Sequence, residues 1–479
     1  MIPALARNIF HLQESLLGRP SFLLLDGLNE SQWWPRERLR AQQVLRLRRA
    51  VALAYAHTPF WRQVLDQRGI APADVRSLED LRRFPLLDKQ TIRDSREEMV
   101  WKGEGKRVQL VRTSGSTNEA LEFYTSSTRE AHINAARMRG HEWVGVRRGD
   151  REMYYWGSPI ELSKQDRVKR VRDWLINDGL TNGFEVTPAR VRGYFEHWLR
   201  WRPRCIFGYP STFVLTAAIC ESLGLDLKRL KPRGLQVICT TSEMLSDVDR
   251  QLIAEAFGVP VCDSYGLREA GLIGHECAHG TMHCVDEQVF LETIDPETGE
   301  PTAGEGELVV TNLVGPAFPV FRYRTGDIVT LSDEPCPCGR TLSRVQISGG
   351  RAVEFVVTKE GKWVVGYSFI YIARAVPGIV KFQVVQERLG EIRVRLAVDG
   401  RFPEDGAAQV RAKVAQRLGG DDEITVELVD DIAPARSGKY RPVISKVAEE
   451  LYRKRQFGNE TLSRAKSQGE VGKGSKTGH

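Results

Sequence analysis

A change of rhythm along the chain limits its fold more than any other feature. From about Val108, short apolar runs alternate with amphipathic stretches of helix length; Cys205-Ile206-Phe207, Leu235-Gln236-Val237-Ile238-Cys239 and Val259-Pro260-Val261 are the clearest. Short apolar runs between helix-length segments read as strands of a layered sheet, so the spacing predicts an α/β domain. Runs at Glu307–Thr311 and Ile328–Leu331, flanked by glycines and proline, predict a part richer in β-structure. Beyond Gly350 the pattern changes again. Phe382–Val385 and Ile392–Leu396 alternate as strands, Val410, Val414 and Leu418 recur at helical spacing, and Ile424–Val429 forms another strand. That is a small α+β unit of about 100 residues.

The 479 residues exceed what one hydrophobic core usually serves. The expected division is a large N-terminal domain over 1–350, a small C-terminal domain over 351–457 and a disordered tail over 458–479, hinged at Gly349-Gly350. Nearer the start, Val44, Leu47, Val51 and Tyr55 predict an amphipathic helix ended by His57-Thr58-Pro59. Ser77-Leu78-Glu79-Asp80 predicts a capped short helix that stops before Pro85.

With 69 basic and 62 acidic residues interleaved, the net charge of +7 does not argue for a nucleic-acid partner. The densest basic run, Arg167 to Arg172, reads first as a solvated helix face. Arg7, His11 and Glu14 interrupt the apolar residues before a signal-peptide core develops, and no apolar run reaches the length of a membrane span. Eight cysteines in such a chain point to reduced thiols and a cytoplasmic location.

Three separated segments carry the chemistry. Thr113, Ser114, Gly115, Ser116 and Thr117 make a glycine- and hydroxyl-rich loop whose donors can surround phosphate oxygens. Asp327 ends the segment Tyr323-Arg324-Thr325-Gly326-Asp327, where a carboxylate can accept from the two hydroxyls of a ribose. Lys439, in Ala435-Arg436-Ser437-Gly438-Lys439, can bring a point charge to a reacting phosphate from the C-terminal unit. Together they describe activation of a carboxylate by ATP.

On these motifs the chain resembles the AMP-forming, adenylate-forming enzymes, in the branch of the phenylacetate–CoA ligases and of the CapK proteins encoded with capsular polysaccharide genes. His57-Thr58-Pro59-Phe60-Trp61, Leu78-Glu79-Asp80-Leu81 and Phe84-Pro85-Leu86-Leu87-Asp88-Lys89 are wording characteristic of that branch, and the likeness covers about residues 50–450. It departs from the family pattern at Asn118 and Glu119, where glycine and a nearby proline are usual, and at Arg268, where threonine is usual. The resemblance implies that Asp263-Ser264-Tyr265-Gly266-Leu267-Arg268-Glu269 places Tyr265 near adenine and gives Glu269 to magnesium. It implies that Asp327 binds the ribose, that Arg344 reaches nucleotide oxygens and that Lys439 stabilises charge as pyrophosphate leaves. Arg268 could hold an α-phosphate or a substrate carboxylate. Ser242 and Glu243, with Tyr155, Tyr209 and Pro210, fall where the family lines its nucleotide and acyl sites, though aromatics there serve equally well as core.

Cys277, His283, Cys336 and Cys338 form a separate constellation. Three thiolates and an imidazole make a closed tetrahedral zinc set, and members of the branch carry such a zinc beside the active site. The spacing also leaves His279, Cys284 and Cys262 as substitutes, and unbound thiols as the alternative.

The resulting expectation is an ATP- and Mg2+-dependent ligase. It makes an acyl-adenylate, releases pyrophosphate and passes the acyl group to coenzyme A. A carrier-loading enzyme or an adenylyltransferase that does not use coenzyme A stays open, as does a noncatalytic nucleotide-binding scaffold. The expected partners are a carboxylic acid, ATP, and coenzyme A or a carrier thiol. A homodimer completes them.

Overall fold

The structure, a computed structural model, describes all residues except 105–107, 113–120, 157–166, 184–185, 297, 350–354, 367–368, 370–371, 374, 433–441, 449 and 452–479. The phosphate-loop residues Thr113–Thr117 with Asn118 and Glu119, the hinge at Gly350, Lys439 and the tail therefore lie outside the described residues. The described residues divide into two compact units, one holding those from Met1 to Gly349 and the other those from Phe355 to Leu451.

In the first unit a hairpin of β1 (Gln109–Arg112) and β2 (Glu122–Thr125) stands apart from one eleven-stranded sheet. Half of that sheet is parallel. Strands β3 (Glu152–Trp156), β4 (Asp178–Asn182), β5 (Cys205–Gly208), β6 (Val237–Thr241) and β7 (Val261–Leu267) lie in the order β4-β3-β5-β6-β7. The strand expected at Val259–Val261 begins where it was to end and runs on through Ser264-Tyr265-Gly266. Proline lacks the N–H a ladder needs, so Pro260 serves as lead-in and the motif residues become strand.

Beyond β7 the sheet turns antiparallel through β8 (Gly271–Glu276), β9 (Met282–Cys284), β10 (Val289–Ile294), β11 (Glu305–Asn312), β12 (Tyr323–Ser332) and β13 (Arg344–Gly349). Their spatial order from β7 is β8-β9-β13-β12-β11-β10. Ile273, Cys284, Leu308, Val310, Val329 and Val345 share one core inside this half.

The wording that marks the branch proves to be packing. The helix Arg36–His57 buries Leu47 and Val51, and Thr58 ends it in extended backbone, so that Pro59 can open the next helix. Trp61, Leu81, Phe84, Leu87, Phe321 and Tyr323 share a second core, with the Trp61 Nε1 donating to Pro319 O at 3.0 Å. Leu87 joins the sheet at the start of β12, donating to Arg322 O and accepting from Arg324 N. The segment expected as a capped helix after Ser77 is a 3-10 turn, Glu79–Arg83. There the Asp80 carboxylate takes the N–H groups of Arg76 and Ser77, capping the start of the turn as the Ser77–Asp80 spacing predicts.

The second unit holds a hairpin of β14 (Phe355–Val357) and β15 (Trp363–Val365), and a sheet of β16 (Ile379–Arg388), β17 (Glu391–Val398), β18 (Glu423–Leu428) and β19 (Val443–Ser445) in the order β18-β17-β16-β19. The helix Gly406–Leu418 covers it through Val410, Val414 and Leu418, which share a core with Phe382, Val384, Ile392 and Val394. Among the described residues no helix is long and apolar enough to cross a membrane.

Candidate active site

The parallel strands deliver their carboxyl ends to one edge, where ligands bind in open α/β sheets. At that edge β5 ends in Tyr209, β6 in Ser242 and Glu243, and β7 in Leu267-Arg268-Glu269. Ser242 has φ +69°, a left-handed conformation that side chains rarely adopt. This turn feeds the helix Asp247–Phe257, capped by the Ser246 hydroxyl. Glu243 accepts from Ser211 N at 3.1 Å, and burial pushes its carboxyl up to about 7 against the Ser211 donors.

Two tyrosines tie the end of β7 to β12. The Tyr265 hydroxyl on β7 donates to Asp327 Oδ2 at 2.7 Å, and the Tyr323 hydroxyl on β12 donates to Glu269 Oε1 at 2.6 Å. Each segment thus supplies a tyrosine to the other's acid. Strands β7 and β12 stand four steps apart in the sheet. In a flat sheet that is about 19 Å, at about 4.8 Å per step. Contacts of 2.6–2.7 Å require the antiparallel half to curl round. Burial, then the Asp327 charge, pushes the Tyr265 phenol well above its usual range, so it stays a donor.

Asp327 is aimed by a bulge. Arg324 pairs with Val309 and Ile328 with Glu307, so Thr325-Gly326-Asp327 stands opposite the single residue Leu308. Gly326 has φ +77°, its N–H reaches Glu307 Oε1 at 3.1 Å, and the Thr325 hydroxyl donates to Leu308 O at 2.9 Å. A bulge inserted there turns the carboxylate out to a half-exposed position. Glu269 is 5% exposed. Arg129 donates to Arg268 O at 2.6 Å and Asn312 to Glu269 O, pinning the backbone between the two residues. Burial pulls the Arg129 guanidinium down to about 10, opposed by Glu130 and Glu269.

Other expected residues fall differently. Arg268 donates to Arg112 O at 2.7 Å. Arg344 is engaged with Glu334 and Pro335 O. The Ser264 hydroxyl is buried against Thr240 O, and a side chain on Gly266 would meet Gly271 O at 2.8 Å, so these two shape the strand. Tyr155 is a core residue. Strand alternation turns it opposite to Tyr154 and Trp156, fully buried among Trp198, Phe213 and Tyr194, with its hydroxyl bonded to Thr216. Its neighbour Trp156 stacks on Tyr209 with centroids 4.1 Å apart, giving the strand ends a half-buried aromatic wall beside Pro210, which opens a helix. Sequence reasoning passed over Arg129 and Asn312, which act through backbone carbonyls, a role without a sequence pattern. Tyr323 lay inside a motif, but its hydroxyl partner could not be read there.

The cysteine constellation converges. Ligand atoms of Cys277, His283, Cys336 and Cys338 all lie within 4.8 Å of one another. The Cys277–Cys336 sulfur separation is 3.8 Å and Cys338 Sγ lies 3.2 Å from His283 Nε2. Zinc–sulfur bonds of about 2.3 Å in a tetrahedron imply sulfur–sulfur edges of about 3.8 Å, so the donor set fits zinc. The other His283 nitrogen faces Leu342 O at 3.4 Å. Of the substitutes, His279 is exposed, Cys284 is buried in the antiparallel core and Cys262 lies against His275.

The CapK C-terminal domain family matches residues 356–446. A phenylacetate–coenzyme A ligase of Thermus thermophilus is 29% identical over 378 residues, 76% of this chain and 81% of that protein. Protein CapK of Staphylococcus aureus is 22% identical over 399 residues, 82% of this chain and 86% of that one. A crystal structure of 2-hydroxyisobutyryl-CoA ligase, in complex with 2-HIB-AMP and CoA in the thioesterification state, aligns with a TM-score of 0.62 at 20% identity, covering 89% of this chain and 95% of that one. In sequence the chain is similar to phenylacetate–coenzyme A ligases and to CapK, and its fold is that of the adenylate-forming CoA ligases.

Proposed function

We infer that the protein activates a carboxylic acid with ATP, releasing pyrophosphate, and transfers the acyl group from the acyl-adenylate to coenzyme A. The observation that carries this reading is the crossed pairing of Tyr265 with Asp327 and Tyr323 with Glu269, which holds two acids from distant segments together. Asp327, turned out by its bulge, is positioned to accept from a ribose diol. The buried Glu269 is held to one position by Tyr323 and suits a hard cation. Magnesium there would neutralise charge on the departing pyrophosphate. The hydroxyl- and glycine-rich loop Thr113–Thr117 and Lys439 complete the proposed set, donating to phosphate oxygens and stabilising the charge that develops as pyrophosphate leaves. Trp156 and Tyr209 favour an aryl or otherwise flat apolar acid. Cys277, His283, Cys336 and Cys338 would hold a structural zinc, joining the turn after β8 and the start of β9 to the turn before β13.

Acid-dependent exchange of labelled pyrophosphate into ATP, run over aryl, fatty and sugar acids, tests the first half-reaction. Exchange with at least one acid is expected, and thioester formation on adding coenzyme A. Silence across the panel by a folded protein would refute ligase activity. Exchange without a thioester would move the reading to a carrier thiol or another acceptor.

A further inference from the structure

A second group of metal-type ligands lies in the interior, outside the sites above. His141 on the helix Ser127–Trp143, Cys239 on β6 and His275 on β8 each offer a ligand atom, and the three lie within 4.8 Å of one another. All three residues are buried, at 4%, 0% and 2% exposure. Each imidazole has its Nδ1 beside an oxygen. That of His141 is 3.4 Å from Glu152 Oε2, and that of His275 is 3.0 Å from Glu276 O. A ring that donates from Nδ1 to a carboxylate or carbonyl presents Nε2 as a bare lone pair, the arrangement found behind metal-bound histidines. Both Nε2 atoms are buried without a hydrogen-bond partner.

Two orphaned acceptors in one buried cluster are costly. Each unsatisfied polar atom costs about 1–3 kcal/mol. A single cation bound to the thiolate would satisfy both imidazoles and neutralise the sulfur. The surroundings hold the rings in place: helix Ser127–Trp143 passes so close that a Cβ on Gly140 would stand 2.4 Å from two His275 ring atoms. Cys262, registered beside Cys239, packs its sulfur 3.4 Å from Nδ1 of His275. The Trp143 ring lies edge-on to both His275 and His283, at 6.1 and 5.8 Å, so this group is a neighbour of the Cys₃His set but shares no ligand with it.

We propose that His141, Cys239 and His275 form a second metal site, an interior His₂Cys set that takes an ion of the zinc class and ties the helix Ser127–Trp143 to strands β6 and β8. Bonds of about 2.0–2.3 Å put ligand atoms about 3.3–3.8 Å apart. Occupancy therefore requires the widest separation, at most 4.8 Å, to contract by up to about an ångström.

Exchange of cadmium-113 into the intact protein, read by NMR, separates the two sites by their sulfur count. Two resonances are expected, one in the three-sulfur region and one upfield in the single-sulfur region. Cys239→Ser and His141→Gln should each remove the upfield line and lower bound metal by one equivalent. Cys336→Ser should remove only the other line. No upfield line in the wild-type spectrum overturns the proposal, whether or not the variants fold. So does an upfield line that survives Cys239→Ser.

Discussion

Tyr323→Phe isolates the contact on which the site depends. It removes one oxygen and leaves the ring, which is 0% exposed and packed among Trp61, Phe84 and Phe321, with its apolar contacts. What disappears is a 2.6 Å bond donated to Glu269 Oε1. A hydrogen bond to a charged group contributes about 1.5–3 kcal/mol, and Glu269 is too buried for water to replace it fully. At 1.36 kcal/mol per factor of ten, that is roughly ten- to 150-fold if the whole loss falls on catalysis. Part will appear as lower stability, since the bond also ties β12 to the end of β7. The assay is pyrophosphate exchange at saturating acid with magnesium varied, beside thermal unfolding of the same samples. A carboxylate released from its tyrosine should need more magnesium as well as turn over more slowly. Exchange and magnesium dependence both within twofold of wild type would show that Glu269 needs no positioning, and the reasoning from the crossed pairs would fail.

Three further outcomes are expected. Lys439→Ala should slow adenylation by about a hundred- to a thousandfold, the usual loss when one preorganised transition-state charge is removed, with ATP binding measured by calorimetry nearly unchanged. Because burial raises Glu243 to about 7, its carboxyl is neutral below that pH and an anion above it. ATP should therefore bind less well as pH rises through about 7, and Glu243→Gln should flatten the pH dependence of the KM for ATP. Cys338→Ser should lower bound zinc by one equivalent per chain, seen by elemental analysis, with earlier thermal unfolding.

The branch wording at residues 57–61, 78–81 and 84–89 announced a family, yet nothing in it says that Trp61, Leu81, Phe84 and Leu87 pack under Tyr323. Tyr155 shows the reverse difficulty. A Tyr-Tyr-Trp run has aromatics on both faces of a strand, and only the neighbouring strands and helices decide which face meets core.

What the chain determines by itself is local and chemical: strand and helix periods, the hydroxyl-rich loop, the acids at 269 and 327, and the set of three thiols and an imidazole. Propensity, pattern and ligand type act over a few residues, so they survive in one dimension. Tertiary structure alone decided that the sheet curls until β7 meets β12, that each tyrosine serves the other segment's acid, and that His141, Cys239 and His275 face one another beneath a helix. These pairings join residues 36 to 134 positions apart, and no local energy term records them. They arise when burial of the apolar faces fixes how the layers close.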